Sequence, residues 1–275
     1  MQHQVHILHG VPASAGIAIG NAVILDTRKI ERYPKIRITS SLIDDEKNRF
    51  HEAVNTSKKQ IREAIRELEA HNVVKEHSFI LETHLMMLSD PSLTGRVEEL
   101  INQEQINAEW ALKTVLNEIE KDFESIGDEY IKSRVDDTAF VGERLLRNLI
   151  GMKLGGIHLL ENSIIIAHNL SPADTAMLNK DKVLGFATDV GGITSHTSII
   201  AHSLEMPAVV GLENASTLIS PGEKVIVDGI SGLVIVNPTE YQISDYEHRA
   251  RSYLSLEIKL KEKAKLPAIT QDGKY

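Results

Sequence analysis

A long helical stretch divides this chain into parts of different character. Between residues 40 and 150, apolar residues recur every three or four positions, which is the spacing of one buried helix face. The segments on either side, 11–25 and 152–238, instead hold short Val- and Ile-rich runs broken by Gly and Pro, as strands are. We therefore predict an α/β domain, built from both flanking segments, into which an all-α helical bundle is inserted.

The predicted domain boundaries follow these changes of pattern. The α/β domain takes residues 1–35 and 152–238, and the helical insertion takes 36–151. A charged helix with few apolar positions over 239–265 is predicted to connect modules rather than to build a core. The first residues, up to Gly10, contain several histidines and no long apolar run, and are predicted to be a solvated terminus. Strands in the second flanking segment are predicted at 163–167, 183–188, 207–211, 223–229 and 232–237.

Charge and composition narrow the classes of partner and compartment. The formal net charge of -9 argues against a nucleic-acid backbone as partner and favours a basic protein surface. The absence of cysteine excludes disulfides, thiolate zinc sites and a cysteine nucleophile, and it fits a reducing compartment. No stretch approaches the roughly 20 apolar residues that a membrane-spanning helix needs. We predict a cytoplasmic protein.

The segment from Thr188 to Gly211, TDVGGITSHTSIIAHSLEMPAVVG, contains the most informative pattern. A predicted strand ends at Thr188, two glycines follow, and a helix is predicted from about Thr194. Free N–H groups at a helix start bind anions, and glycines let the backbone approach a ligand closely. Hydroxyl groups crowd the same place, which suits a phosphate. The predicted phosphate-positioning residues here are Gly191, Gly192, Thr194, Ser195, Thr197 and Ser198.

His196 stands in the middle of these donors. It could orient a substrate as a neutral base, attack phosphorus as a nucleophile, or simply make a structural hydrogen bond in a polar helix start. No acid nearby in the sequence completes a hydrolytic triad, and no lysine follows the glycines as in a nucleotide-binding loop. His202 lies well over a hundred degrees around the same helix, so the two cannot share a small ligand and no metal site is predicted. These residues alone leave the three roles open.

The sequence GGITSHTSIIAHSLEMPAVVG closely resembles the active-site histidine signature of Enzyme I of the sugar phosphotransferase system, the phosphoenolpyruvate–protein phosphotransferase family. Further resemblances occur in order along the chain: VPASAGIAIG, LETHLMMLSDP, DEYIKSRVDD, ERLLRNLIG and LSPADTAML. The resemblance implies an α/β swivelling phosphohistidine domain with an inserted helical-bundle subdomain and a C-terminal linker helix. It also implies that Nε2 of His196 carries the phosphoryl group. Ser171 would lie near that histidine, where the family commonly has Thr.

The resemblance further implies partners and a missing part. The phosphoryl group would pass from phosphoenolpyruvate to the histidine phosphocarrier protein. Phosphoenolpyruvate and Mg²⁺ would be bound by a C-terminal barrel domain that also dimerises, and residues 266–275 would be its start. The present chain would then be monomeric, need no cofactor, and exchange phosphate only with the carrier. The implied carrier-binding residues are Glu76, His84, Met87, Asp90, Leu93, Ile131 and Arg134.

Two other functions remain as alternatives. The swivelling domain of a pyruvate phosphate dikinase or phosphoenolpyruvate synthase has a related Gly-Gly…His loop, typically with Cys before the histidine and Ala after it. Here Ser195 and Thr197 occupy those positions, and those enzymes lack this helical insertion. A regulatory binding module whose histidine is inert is the third possibility. Acid-labile, base-stable phosphate on His196 would separate it from the first two.

Overall fold

The chain forms two compact units, an α/β unit and a helical unit. A computed structural model describes residues 4–25, 34–70, 75–124, 129–151, 162–178 and 181–264, with backbone only at 75–77, 124 and 129–136. The α/β unit comprises Met1–Leu25, Leu159–Asn169 and Asn179–Tyr275, and the helical unit comprises Asp26–His158 and Leu170–Leu178. The predicted start of a further domain at 266–275 lies outside the described residues.

A mixed eight-stranded sheet forms the centre of the α/β unit. Its order is β1-β8-β7-β3-β4-β5-β6-β2, so strands from before and after the helical stretch alternate within one sheet. This confirms the predicted fold class, an α/β domain with a helical insertion. The strands are β1 (His6–His9), β2 (Val11–Ser14), β3 (Ile17–Leu25), β4 (Ser163–Ala167), β5 (Val183–Thr188), β6 (Ala208–Val210), β7 (Lys224–Asp228) and β8 (Leu233–Val236).

Four neighbouring strands, β3 to β6, run parallel and form the middle of the sheet. Strand β4 reads SIIIA and all five of its residues are buried, which is typical of a parallel strand covered on both faces. Strands β3 and β4 pair from Asn21↔Ser163 to Leu25↔Ala167, so the whole helical stretch is the crossover connection between them. Because the carboxyl ends of parallel strands meet at one edge, the loops after β4 and β5 begin side by side.

Residues 6–9 form an edge strand of the sheet, and His6 and His9 on it are exposed, as predicted for the early histidines; His3 lies outside the described residues. Strand β1 pairs antiparallel with β8, with His6 opposite Val236 and His9 opposite Leu233. Three of its four side chains are exposed and only Leu8 is partly buried, so the sequence showed no alternating apolar pattern; an edge strand is held by its backbone ladder and does not require one. Gly10 alone separates β1 from β2, which lies at the opposite edge, so the two edges of the sheet approach each other there.

The C-terminal helix packs on this sheet over part of its length. Helix α9 spans Glu240–Ala264, and Tyr246, 7% exposed, packs against Ile226 and Ile235 of the sheet. Arg249 donates to the buried Asp228 carboxylate at 3.0 Å and lies over the Tyr246 ring. The helix was predicted only to connect modules, and the few apolar residues of its first half are enough to make it a layer of the α/β unit. Two shorter helices of this unit are α7 (His196–Ser203) and α8 (Ala215–Leu218).

The helical unit is built from long helices that share one apolar core. Its helices are α1 (Ile43–Ala70), α2 (Lys75–Met87), α3 (Thr94–Glu104), α4 (Ala108–Glu124), α5 (Glu129–Leu149) and the short α6 (Pro172–Ala176). The residues that recur at helical spacing are the buried ones, among them Phe50, Ile61, Leu68, Leu81, Leu88, Ile101, Leu112 and Leu145. The unit is therefore the helical bundle that the periodicity predicts.

Residues 170–178 belong to the helical unit, although the prediction assigned them to the α/β domain. The physical reason is a buried ionic cluster. Arg144 and Arg147 of α5 both donate to the carboxylate of Asp174 in α6, and Arg147 does so at 2.8 Å. Burial alone would raise the pKa of Asp174, but the two guanidinium groups hold it well below its usual range. These pairs anchor α6 to α5.

Candidate functional site

The candidate site starts at the carboxyl ends of β4 and β5. Strand β5 ends at Thr188, and residues 189–195 lead from it to helix α7. The backbone of this loop is tied to its neighbours: the N–H of Asp189 donates to Ala167 O at 3.1 Å, and that of Val190 donates to His168 O at 3.1 Å. The loop therefore departs from a fixed base at the edge of the sheet.

Glycine is needed at one position of this loop. Gly191 has φ of 124°, a value that side chains other than glycine rarely adopt, and a Cβ there would lie 3.2 Å from Cβ of Val210. The next residue, Gly192, supplies a carbonyl that accepts from Ser195 N at 3.0 Å and from Ser198 Oγ at 2.7 Å. These bonds turn the chain sharply into the helix.

Ser195 caps helix α7. Its side chain accepts from Ser198 N at 3.3 Å and lies 2.9 Å from Ser198 Oγ. An N-cap serine satisfies one of the free N–H groups at a helix start and fixes the direction in which the helix begins. The predicted helix start near Thr194 is thus confirmed to within two residues.

His196 is the first residue of α7 and is partly exposed. At this position the imidazole belongs to the first turn of α7, where the helix dipole favours negative charge. An anionic group bonded to the ring would therefore lie near the positive end of the helix. The geometry suits a histidine that holds or receives a phosphoryl group.

The predicted hydroxyl groups around His196 differ in their surroundings. Thr194 is exposed, whereas Thr197 is 5% and Ser198 is 1% exposed. The hydroxyls of Ser195 and Ser198 bond to each other, and that of Ser198 also bonds to the loop. These two side chains therefore fix the conformation of the loop and of the helix start. The role of all four in positioning a phosphate stays a prediction.

Ser171 lies in the helical unit, at the start of α6. Its hydroxyl oxygen accepts from Asp174 N at 3.1 Å and from Arg144 Nη2 at 3.2 Å, and the residue is 5% exposed. Ser171 therefore serves as the N-cap of α6 and belongs to the ionic cluster there. Its predicted nearness to the phosphoryl group stays a prediction.

Asp189 is a polar residue of this region that the sequence analysis missed. It is 2% exposed, and its carboxylate accepts from Ser216 N at 2.8 Å, from Ser216 Oγ, and from the ring of His168 at 3.1 Å. The sequence could have indicated Asp189, because it is an acidic residue between an apolar strand and two glycines. A carboxylate at such a place is buried only if it is fully hydrogen-bonded, so it is expected to hold neighbouring segments together.

The residues predicted to bind a carrier protein fall into three groups. Met87 is partly exposed and Asp90 is exposed, and hydrogen bonds from Ser92 lower the pKa of Asp90. His84 and Leu93 are 2% and 3% exposed, so any influence on a docked protein would act through their neighbours. The side chains of Glu76, Ile131 and Arg134 lie outside the described part of the structure, although all three belong to helices α2 and α5.

Two apolar side chains that the sequence analysis did not select are exposed on α2. Phe79 is 60% and Met86 is 72% exposed, and they lie two turns apart on the same face of the helix. The periodicity missed them because neighbouring positions of α2 are also apolar, so the pattern did not show which face is buried.

His84, predicted to bind a carrier protein, is paired with Asp137 of α5. Its ring nitrogen Nε2 lies 3.2 Å from Oδ1 of Asp137 in the interior of the helical unit. The carboxylate of Asp90 accepts from Ser92 N at 2.8 Å in the turn before α3, which starts at Thr94.

Within the described ranges, no three His, Asp or Glu side chains are grouped so that they could hold a metal ion. None of the helices in those ranges is both long and apolar enough to span a bilayer.

Two family models match the chain. The N-terminal model of PEP-utilising enzymes matches residues 9–134, and the mobile-domain model of the same enzymes matches 159–232. The second match includes the whole loop from Asp189 to His196. The first match covers β2, β3 and most of the long helices, and the second covers β4 to β7.

Curated relatives match over nearly the whole chain. The phosphoenolpyruvate-protein phosphotransferase of Bacillus subtilis (strain 168) is 38% identical over 272 residues, which are 98% of this chain and 46% of the relative. That of Haemophilus influenzae is 38% identical over 270 residues, which are 97% of this chain and 46% of the relative. The chain spans about half the length of the curated relatives it matches.

Solved structures agree with these relatives. The N-terminal domain of Enzyme 1 - Nitrogen matches with a TM-score of 0.63 and 25% identity, covering 88% of this chain and 98% of that one. An NMR structure of Enzyme I (nEIt) matches with a TM-score of 0.70 and 41% identity, covering 90% of this chain and 99% of that one. The chain therefore belongs to the Enzyme I family, the phosphoenolpyruvate-protein phosphotransferases, and corresponds to the N-terminal half of such an enzyme.

Proposed function

We propose that this chain is a phosphoryl-transfer module in which His196 accepts a phosphoryl group and exchanges it with a histidine phosphocarrier protein. The observation that carries the proposal is the position of His196, partly exposed at the first residue of a capped helix and directly after a glycine-containing loop. Membership of the Enzyme I family supports the same reaction.

The proposed step needs only groups that the chain and its partner supply. A lone pair of the His196 ring, at Nε2 by family resemblance, attacks the phosphorus held by the carrier's histidine. The new P–N bond forms as the old one breaks, and the leaving imidazole keeps the electron pair. The positive end of the α7 helix dipole stabilises the negative charge of the transferring group. The two bonds are of the same kind, so the step runs in both directions.

The helical unit offers the surface on which the carrier would dock. Phe79 and Met86 form a small exposed apolar face on α2, with Met87 partly exposed and Asp90 exposed beyond it. An apolar centre bordered by acidic groups suits a partner that has an apolar patch ringed by basic residues, in keeping with the chain's net charge of -9. We place the docking face here rather than at the buried His84 and Leu93.

Phosphoenolpyruvate would be used only together with the other half of the enzyme. The family resemblance assigns its binding, Mg²⁺ and dimer formation to that half. Mg²⁺ there would neutralise the charge of the phosphate and the departing enolate. The present chain would contribute the accepting histidine and its positioning, and would act in the cytoplasm.

Labelling of His196 tests the proposal. The chain is incubated with phosphorylated carrier protein and its intact mass is measured; we expect one added phosphoryl group that is stable in base and lost in acid. His196→Ala should abolish the labelling, whereas His202→Ala, an exposed histidine on the same helix, should not. Unchanged labelling of the His196 variant would refute the assignment.

The same measurement decides between this function and the alternatives. A regulatory module with an inert histidine would take no label from any phosphorylated carrier. A dikinase-type swivelling domain is disfavoured because the relatives are phosphoenolpyruvate-protein phosphotransferases and match the helical stretch as well.

A further inference from the structure

His168 and Asp189 occupy equivalent places on two adjacent strands. His168 follows β4 and Asp189 follows β5, and the last residues of these strands, Ala167 and Thr188, are paired in register. The ring nitrogen Nδ1 of His168 lies 3.1 Å from Oδ2 of Asp189. The histidine carbonyl also accepts from the N–H of Val190. His168 is thus joined twice to the first two residues of the loop that leads to His196.

Asp189 joins this histidine to a third segment of the α/β unit. Its carboxylate accepts from the backbone and side chain of Ser216 in α8, and its carbonyl accepts from Glu213 N at 2.8 Å. The side chain is 1% exposed, so it depends on these donors and cannot replace one of them with water easily. The carboxylate therefore holds the ends of two strands and the start of α8 in one arrangement.

We propose that His168 is a positioning residue for phosphoryl transfer: through Asp189 it fixes the base of loop 189–195 and so the place of His196. The inference rests on the proposed function of His196. It adds a second histidine that takes no phosphoryl group and touches none, but whose hydrogen bond determines where the first one stands.

The exposure of His168 separates this role from a role in folding. Its side chain is 40% exposed, so truncation leaves no core cavity and removes mainly the bond to Asp189. The Asp189 carboxylate then keeps only the donors from Ser216. Asp189, the first residue of loop 189–195, loses its side-chain hydrogen bond to the residue that follows β4. A small displacement of His196 from the phosphorus atom would slow phosphoryl transfer strongly, whereas it would change the free energy of unfolding little.

Two substitutions at the same position test the proposal. His168→Ala removes the donor, whereas His168→Asn keeps one, because the Asn amide nitrogen is as many bonds from Cα as Nδ1 is. We expect His168→Ala to slow transfer within the carrier complex by roughly tenfold or more, with the carrier concentration for half-maximal rate unchanged. His168→Asn should restore the rate to within about twofold of the unmodified chain, since it keeps the bond.

A second measurement reads the loop without any transfer. Amide hydrogen exchange of residues 190–195 in the unphosphorylated chain should speed up in His168→Ala and stay near normal in His168→Asn. The exchange of β3 and β7, elsewhere in the sheet, should not change in either variant.

The outcomes are distinct. The proposal is overturned if His168→Ala matches the unmodified chain in rate and exchange, or if His168→Asn is as slow as His168→Ala. If the unmodified chain accepts no phosphoryl group from the carrier, the proposed function fails, and the exchange comparison alone then shows whether His168 holds the loop.

Discussion

The hydroxyl-bearing residues next to His196 are divided between shaping the loop and facing solvent. Ser195 and Ser198 bond to each other and to Gly192, which closes the turn into α7. Thr194 is exposed just before the cap, and we predict that its hydroxyl helps to position the phosphoryl group. Residues with similar side chains thus differ in what they do: some hold the loop in its conformation, and others are available to a ligand. Single substitutions can separate the two roles.

Thr194→Ala should slow transfer from the carrier by about tenfold or more without changing stability, because a hydrogen bond to a charged group contributes about 1.5–3 kcal/mol. Ser195→Ala should slow transfer too, but it should also lower the free energy of unfolding by about 1 kcal/mol, because the helix cap is lost. Transfer rates and denaturant unfolding of both variants are the measurements. Equal rates for Thr194→Ala and the unmodified chain would mean that backbone groups alone hold the phosphoryl group.

Helix α2 presents a face whose importance can be tested with one substitution. Phe79→Ala should raise the carrier concentration needed for half-maximal transfer by about tenfold, since an exposed aromatic residue at the centre of an interface is a common anchor. The rate at saturating carrier should stay the same, because Phe79 belongs to the docking face and not to the loop of His196.

Leu254→Ala is the matched control for that substitution. Leu254 is 56% exposed on α9, so its truncation removes a comparable exposed apolar group from a different helix. Titration of carrier into both variants gives the comparison. If the two variants weaken docking equally, the face on α2 is not the specific surface.

Helix α6 is held by charge rather than by apolar area. We expect Asp174→Asn to lower the free energy of unfolding by about 3 kcal/mol, because it leaves the buried Arg144 and Arg147 without their carboxylate. Urea unfolding of both proteins at pH 7 measures this, with Asp181→Asn, at an exposed position, as the control.

The free energy of unfolding should depend on pH through the Asp174 carboxylate. Because the pKa of Asp174 is lower in the folded state than in the unfolded chain, its contribution is fully present above about pH 4 and is lost as the pH falls further. The difference in stability between the unmodified chain and Asp174→Asn should therefore shrink in acid. A difference that stays constant down to pH 2 would contradict this account.

Strands with a continuous apolar pattern could be predicted from the sequence, and elements held by other forces could not. The predicted segments 163–167 and 183–188 coincide with β4 and β5, since short apolar runs mark their interiors and polar residues follow their ends. Strand β1 and the packing of the first half of α9 on the sheet were not predicted, because a backbone ladder holds the one and a single buried Tyr246 with an ion pair helps to hold the other.

The candidate site was predictable where its residues are consecutive and not where they meet through the fold. His196 and its loop form one motif, whereas the pairing of His168 with Asp189 depends on the register of two strands. Likewise, periodicity indicated that α2 has a buried face but did not show that His84 lies on it and Phe79 does not.

The 275 residues of this chain, assayed by themselves, should exchange a phosphoryl group with the carrier but not take one from phosphoenolpyruvate. We expect labelling of His196 by phosphorylated carrier with or without Mg²⁺, and none by phosphoenolpyruvate under either condition. The physical reason is that transfer from phosphoenolpyruvate requires cations at the developing charge, which the family resemblance assigns to the other half. Each donor is offered separately and the mass is followed; labelling by phosphoenolpyruvate would contradict the expectation.

The insertion of the helices between β3 and β4 has a consequence for how the chain is synthesised. Strand β3 leaves the ribosome early, but its neighbours are β4, which starts at Ser163, and β7, which starts at Lys224. Helices α1 to α5 pack on one another and are all synthesised before β4, so they can begin to fold while the ribosome is still translating the rest. Until then IAIGNAVIL remains an unpaired, apolar ribbon in the nascent chain, and we expect this segment to be where chaperones bind newly made protein.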